Sequence, residues 1–158
     1  MIQIEISGKK KPLTIRSLLL GFNGAIAKDG VLIEGVAERL REIAEAGVEI
    51  YLITADIYGT AVSQCEGLPI TVETFSSLEA TRRKREEALR LGGEESVAIG
   101  NARNDMGMFE ACAFSIAVIG TEGCFFSTLA AATVVVTDIR DALDLLIHKN
   151  RLSATLRP

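Results

Sequence analysis

Isoleucines at positions 2, 4 and 6 alternate with Gln3 and Glu5, and the alternation resumes at Leu13 after the Gly/Lys/Pro stretch 8–12. Two alternating runs joined by a turn predict an N-terminal β-hairpin. Its second arm continues through Ser17 into the apolar run Leu18–Leu20, the pattern of a strand buried on both faces. From there the periodicity switches back and forth. Val36, Leu40, Ile43 and Ala44 share one face of a helix over 36–46, with Gly47 placed to end it in the left-handed conformation. "VEIYLIT" (48–54) reads as a strand, a short helix follows at about 57–65, and "PITVETF" (69–75) is a weaker strand opened by Pro69. Ser76 and Glu79 have capping-box spacing for a helix that runs to about Leu91 and is closed by Gly92 and Gly93.

The rest of the chain keeps alternating: "SVAIG" (96–100), "FSIAVIG" (114–120) and "ATVVVT" (132–137) are strands, separated by helical stretches at 104–113 and near 123–130 and followed by the helix "DIRDALDLLI" (138–147). Strands alternating with helices predict an α/β fold, a Rossmann-like three-layer sandwich around a mainly parallel sheet, because right-handed crossovers leave few other solutions. With 158 residues, 48% of them apolar, the chain can bury one core, so a single domain over 1–158 is expected. No repeat or linker interrupts it.

Charge and cysteine content narrow the classes. A net charge of −4 and a pI near 5.1 do not make the basic surface that phosphate backbones or anionic lipid attract, so neither nucleic acid nor membrane is an expected partner. The basic cluster "GKKKP" (8–12) falls in the hairpin turn and reads as a solvated tip. Cys65, Cys112 and Cys124 form no C-x-x-C, and an odd count suits reduced thiols better than a disulfide framework or a zinc site. No apolar run is long enough to cross a bilayer, and the N-terminus alternates where a signal peptide would show an apolar block. A soluble, cytoplasmic protein is expected.

In parallel sheets ligands bind beyond the carboxyl ends of the strands. Those ends carry "GFNGA" (21–25), "TAD" (54–56) and "GNARND" (100–105). Thr54, Asp56, Asn101, Asn104 and Asp105 sit where strands hand over to helices, and each can be read as a helix cap. Lys84 is harder to absorb. On the helix after Ser76 it shares a side with Thr81, Ala88 and Leu91, and Arg85 falls in the same arc, while Arg82/Glu86/Arg90 and Arg83/Glu87 pair elsewhere at i,i+4. A lysine on an apolar arc is either extended to solvent or aimed at an anion.

The order of these segments resembles the haloacid dehalogenase (HAD) superfamily, and specifically its small soluble members similar to the phosphorylation domain of P-type ATPases. The resemblance covers the whole chain, and rests on four short motifs in the right order. It implies a phosphohydrolase in which the aspartate of a first motif Asp-Phe-Asn-Gly-Thr attacks phosphorus. Gly21 stands at that aspartate position, Asn23 where a backbone carbonyl coordinates magnesium, and Ala25 where the family has threonine. By the same resemblance Thr54 and the N–H of Ala55 hold phosphoryl oxygens, Lys84 neutralises the phosphate, and Asp105 and Asn101 take the metal positions, Asn101 replacing a second acid.

The vacant nucleophile position implies catalytic impairment, a pseudoenzyme that retains a site for phosphate or a small phosphorylated ligand. With only Asp105 against Lys84 the inner charge is near zero, so magnesium is expected to bind weakly or not at all. The alternative is an active magnesium-dependent phosphatase that uses a displaced acid, Asp56 or Asp105. A nucleotide-binding module would need G-x-G-x-x-G after the first core strand, which G-F-N-G does not supply. A hydrolase built on His148 is disfavoured by its place at the end of a helix. The flap "AIAKDGVLIEG" (25–35) is short and no cap domain interrupts the chain, so the site is expected to be open, with "CFFSTLAAATVVV" (124–136) and the hairpin edge as candidate surfaces for homo-oligomerisation.

Overall fold

Leu18, Leu19 and Leu20 are fully buried at the centre of the molecule because their strand has neighbours on both edges and helices on both faces. The computed structural model describes all of residues 1–158. The elements are β1 (Ile2–Ile4), β2 (Leu13–Ile15), β3 (Ser17–Leu20), β4 (Ala27–Lys28), β5 (Val31–Leu32), α1 (Val36–Glu45), β6 (Glu49–Thr54), α2 (Ala61–Gln64), β7 (Thr71–Thr74), α3 (Ala80–Arg90), β8 (Ser96–Gly100), α4 (Met106–Ala111), β9 (Phe114–Val118), α5 (Phe126–Ala131), β10 (Val134–Val136), α6 (Ile139–Ile147) and α7 (Lys149–Thr155). Six of the strands form one sheet in the order β10-β9-β8-β3-β6-β7, every pair parallel.

Alternate side chains of the central strands divide the core. Leu18, Leu20, Ile50, Leu52, Val97 and Ile99 point to the face covered by α1 and α6, whose Val36, Leu40, Leu143 and Leu146 complete the larger cluster. Leu19, Ile53, Ala98 and Ala117 point to the other face, beneath α3 and α4 with Ala88, Met108 and Phe109. The alanines on this side let the two helices lie close to the sheet. Gly107 lets them lie close to each other: a Cβ there would stand 2.1 Å from the Thr81 carbonyl oxygen.

The hairpin forms as the alternation predicts, Ile2 opposite Ile15 and Ile4 opposite Leu13, and Arg16 marks the point where the chain leaves it for β3. Several details differ from the sequence expectation. The capping box at Ser76 does not form: Ser77–Glu79 make a 3-10 turn without a side-chain cap, and the Glu79 carboxylate accepts a hydrogen bond from Arg82. The Arg83–Glu87 pair is absent because Arg90 holds Glu87 while Arg83 reaches Glu86. Arg85 is exposed and paired with Glu110, outside the buried arc. The flap contains the two-stranded ribbon β4–β5, and His148 is followed by a further helix, α7, packed on β1. All three cysteines are free thiols, and burial pushes that of Cys112 up to about 12. No helix is long and apolar enough to cross a membrane.

Candidate functional site

Strand β3 is flanked by β6 on one side and β8 on the other, and the chain fills the sheet outward from it in opposite directions. That reversal opens a crevice beyond the carboxyl ends of the strands. A cavity of about 140 Å³ lies there, lined by Gly21, Asn23, Thr54, Ala55, Lys84 and Asp105 among others. Asn101 lies just behind it, 4% exposed, with its backbone N–H donating to Asp105 Oδ2.

Gly21 continues β3 by one residue, its N–H donating to the Ile99 carbonyl. A Cβ at this position would stand 3.3 Å from both carboxylate oxygens of Asp105 and 3.7 Å from the Ala25 Cβ. Any side chain at 21 would therefore enter the cavity directly beside Asp105. Beyond it, the backbone N–H groups of Phe22 and Asn23 donate to no acceptor in the chain, and neither does that of Ala55 at the end of β6. Three residues with unpaired backbone N–H groups thus line one small cavity, an arrangement of the kind that successive backbone amides offer to anions.

Lys84 comes down from α3 onto the same point. Its side chain is 4% exposed and its Nζ donates to Asp105 Oδ1 at 2.6 Å and Asn104 Oδ1 at 3.0 Å. The close α3–α4 packing at Gly107 makes this reach possible. Asp105 is engaged three times, since its Oδ2 also accepts the N–H groups of Asn101 and Ala102 at 2.8 Å each. The carboxylate thus caps the turn after β8 and also lines the cavity.

At the end of β6, Thr54 Oγ1 accepts the Asp56 N–H at 2.9 Å, which leaves the hydroxyl hydrogen free to donate into the cavity. Asp56 adopts a φ of 47°, a left-handed turn that Asp tolerates through local hydrogen bonds. Its Oδ1 accepts the N–H groups of Thr60 and Ala61, tying it to the start of α2. Asn23 directs its side chain away from the cavity, Oδ1 accepting the Gly30 N–H of the flap, so only its backbone faces a ligand.

Two lining residues escaped sequence reading: Ile57, exposed at the mouth, and Glu122, on the connection between β9 and α5. Glu122 lies in a loop without periodicity, and no local signal places it. Its presence changes the electrostatics. Asp56, Asp105 and Glu122 against Lys84 give the lining a formal charge of −2, not the near-zero balance of Lys84 with Asp105 alone. A larger cavity of about 350 Å³ lies across Gly24, walled by the flap, Ile139 and the Asp138–Arg140 pair. It shares Gly24 and Ala25 with the first strand end but contains none of Gly21, Thr54, Lys84 and Asp105, which the smaller cavity brings together.

The donor set suits a hard divalent cation, which prefers oxygen ligands including one or two carboxylates. Asn101 Oδ1 is buried without a hydrogen-bond partner, an orphan that a bound cation would satisfy. Asp105 and Asn23 line the cavity itself, and the Asn23 carbonyl accepts no bond within the chain.

No family model matches the chain. An uncharacterized protein of Methanocaldococcus jannaschii is 48% identical over 61 residues, 39% of this chain and 66% of the relative, so the match spans just under two thirds of that protein's length. Among solved structures, 3-deoxy-D-manno-octulosonate 8-phosphate phosphatase from Moraxella catarrhalis, in complex with magnesium, phosphate and KDO, superimposes with a TM-score of 0.71 at 16% identity over 89% of this chain and 91% of that one. A protein of Legionella pneumophila assigned to subfamily III A of the HAD superfamily also gives 0.71 at 16% identity, covering 89% and 88%. The architecture is therefore Rossmann-like and HAD-like, the fold that these two structures share.

Proposed function

We propose that this chain is a HAD-superfamily domain of the P-type-ATPase-like branch that binds phosphate or a phosphorylated small molecule and has lost the covalent route of hydrolysis. The observation that carries the reading is the strand end itself: the unpaired N–H groups of Phe22, Asn23 and Ala55 surround a point to which Gly21 contributes no nucleophilic atom. A phosphoryl group there would receive those three donors, the Thr54 hydroxyl and the Lys84 ammonium. A cavity of about 140 Å³ is smaller than most ligand pockets, about 300–1,000 Å³. It fits a phosphoryl group and leaves the organic part of an ester at the open mouth beside Ile57.

A cation held by Asp105, Asn101 Oδ1 and the Asn23 carbonyl would supply neutralisation of the phosphoryl charge when bound. Lys84 cannot do this alone, because its charge is already matched by Asp105 and the lining remains net negative. Weak cation binding, expected from Lys84 and Asp105 alone, is thus not part of the proposal. The displaced-acid alternative is weakened in that the Asp105 charge is matched by Lys84 and its Oδ2 accepts two backbone N–H groups, while Asp56 Oδ1 is tied to the start of α2 and only its Oδ2 is without a partner in the chain. The N–H cradle and Lys84 still position an ester for direct attack by water, a route that needs no aspartyl-phosphate.

The test is to incubate the protein with an aryl phosphate and magnesium. The expected result is binding of inorganic phosphate, no phosphorylated chain by mass spectrometry, and only slow turnover by direct water attack, raised by Gly21→Asp and abolished again by Asp105→Asn. A covalent phosphoryl adduct on the unaltered chain would overturn the reading.

A further inference from the structure

We infer that the larger cavity, across Gly24 from the phosphoryl site, is a second binding site, built for a small organic carboxylate with a compact apolar body. The inference goes beyond the function proposed above and does not depend on it. At about 350 Å³ the cavity falls within the range of about 300–1,000 Å³ usual for small-molecule pockets, which the phosphoryl cavity does not reach. Its lining suits an apolar body: Val118 at the end of β9 and Ile139 at the start of α6 are buried, Ile33 of the flap is half-buried, and Ile119 keeps 40% of its surface exposed.

The charges suit an anion. Lys28 and Arg140 are the cations of the lining and Asp138 its one carboxylate, so the cavity carries one net positive charge where its neighbour carries two negative ones. Asp138 is matched by Arg140, and Lys28 is the charge left over. Lys28 is exposed and has neither a hydrogen bond nor an ion pair within the chain. Arg140 spends its Nε and one amino group on Asp138, which leaves the other amino group without a partner. The backbone N–H groups of Gly120 and Thr121, also in the lining, donate to no acceptor in the chain. A singly charged carboxylate fits this surplus, and charge-assisted bonds from Lys28 and Arg140 are the strong kind.

Glycine at 120 keeps the cavity open without being required by the backbone. Its φ lies outside the left-handed region, and a Cβ there would make ordinary contacts, 3.4 Å from the Gly24 carbonyl oxygen and 4.0 Å from Val118 Cγ1. Both neighbours belong to the lining, so a larger side chain at 120 would occupy the cavity itself. The turn 21–25 and the connection 120–122 divide the two sites: Asn23 and Glu122 line the smaller one, Gly24 and Thr121 the larger.

The experiment is an NMR titration of the amide signals of the full chain with sodium benzoate, with benzamide as the uncharged counterpart and inorganic phosphate as competitor. Benzoate is expected to give saturable shifts centred on Ala27, Lys28, Gly120 and Ile139 that phosphate does not reverse. Lys28→Gln is expected to weaken benzoate binding about 2- to 5-fold and to leave benzamide binding unchanged. Gly120→Leu is expected to abolish binding of both with the melting temperature unchanged; if this variant melts early, the Lys28→Gln and phosphate arms decide. Benzoate that gives no saturable shift, binds no better than benzamide, is displaced by phosphate, or binds Lys28→Gln as tightly as the unaltered chain overturns the inference. Phosphate binding without benzoate binding sinks this inference alone, and benzoate binding without phosphate binding sinks only the phosphoryl-site reading.

Discussion

Glycine at 21 shapes the site as much by the space it leaves as by the atom it omits. The Asp105 carboxylate has settled into that space, within 3.3 Å of where a Cβ would be, and Lys84 holds it there. Gly21→Asp therefore brings a second carboxylate against a buried first one, and without metal it is expected to lower stability by about 1–3 kcal/mol. Urea unfolding in EDTA should show the loss, and magnesium, bridging the two carboxylates, should reverse most of it. An undiminished midpoint in EDTA would mean that Asp105 moves away freely. Lys84 was legible in the sequence because helical periodicity put it among apolar neighbours, and it is indeed buried. Arg85, in the same arc by the same count, lies at its margin and turns outward to Glu110. Periodicity fixes a direction to within a side chain's width, and tertiary contacts decide the rest. Glu122 and the left-handed φ of Asp56 left no trace in spacing at all, because each depends on where distant strands end.

The helices contribute their termini as well as their faces. Asp138 caps α6, its Oδ1 accepting the Arg140 N–H at 2.8 Å, and the Arg140 guanidinium against it holds its carboxyl below the usual carboxylate range. A folded-state pKa lower than the unfolded value, about 3.9, means that the contribution is fully present above the unfolded value and is lost as pH falls through the folded one. Asp138→Ala is therefore expected to cost about 1 kcal/mol near neutral pH, with the gap narrowing in melts recorded below about pH 4. A gap independent of pH would show that the helix, not the charge, sets the cost. Elements were easier to foresee than their ends. The strands of the sheet follow directly from apolar runs, whereas the box at Ser76 fails because Glu79 finds Arg82 first, and the β4–β5 ribbon is too short for alternation to register.

At the scale of the whole molecule, the cleft draws on residues from position 21 to position 122, carried by β3, β6, α3, β8 and the β9–α5 connection. None of these segments can form it without the others in register. A ligand that binds only the assembled cleft stabilises the chain by mass action, about 2.7 kcal/mol at a hundred times its dissociation constant. Phosphate with magnesium is accordingly expected to raise the midpoint of global unfolding, as followed by circular dichroism, and not merely to quiet the flap. A rise confined to local hydrogen exchange around 21–35, with no shift of the global midpoint, would contradict this. Because every wall of the cleft is borrowed from a different stretch of chain, a half-formed molecule is expected to offer no grip. A phosphate-bearing resin should thus retain only intact copies, so that retention itself becomes a gauge of foldedness.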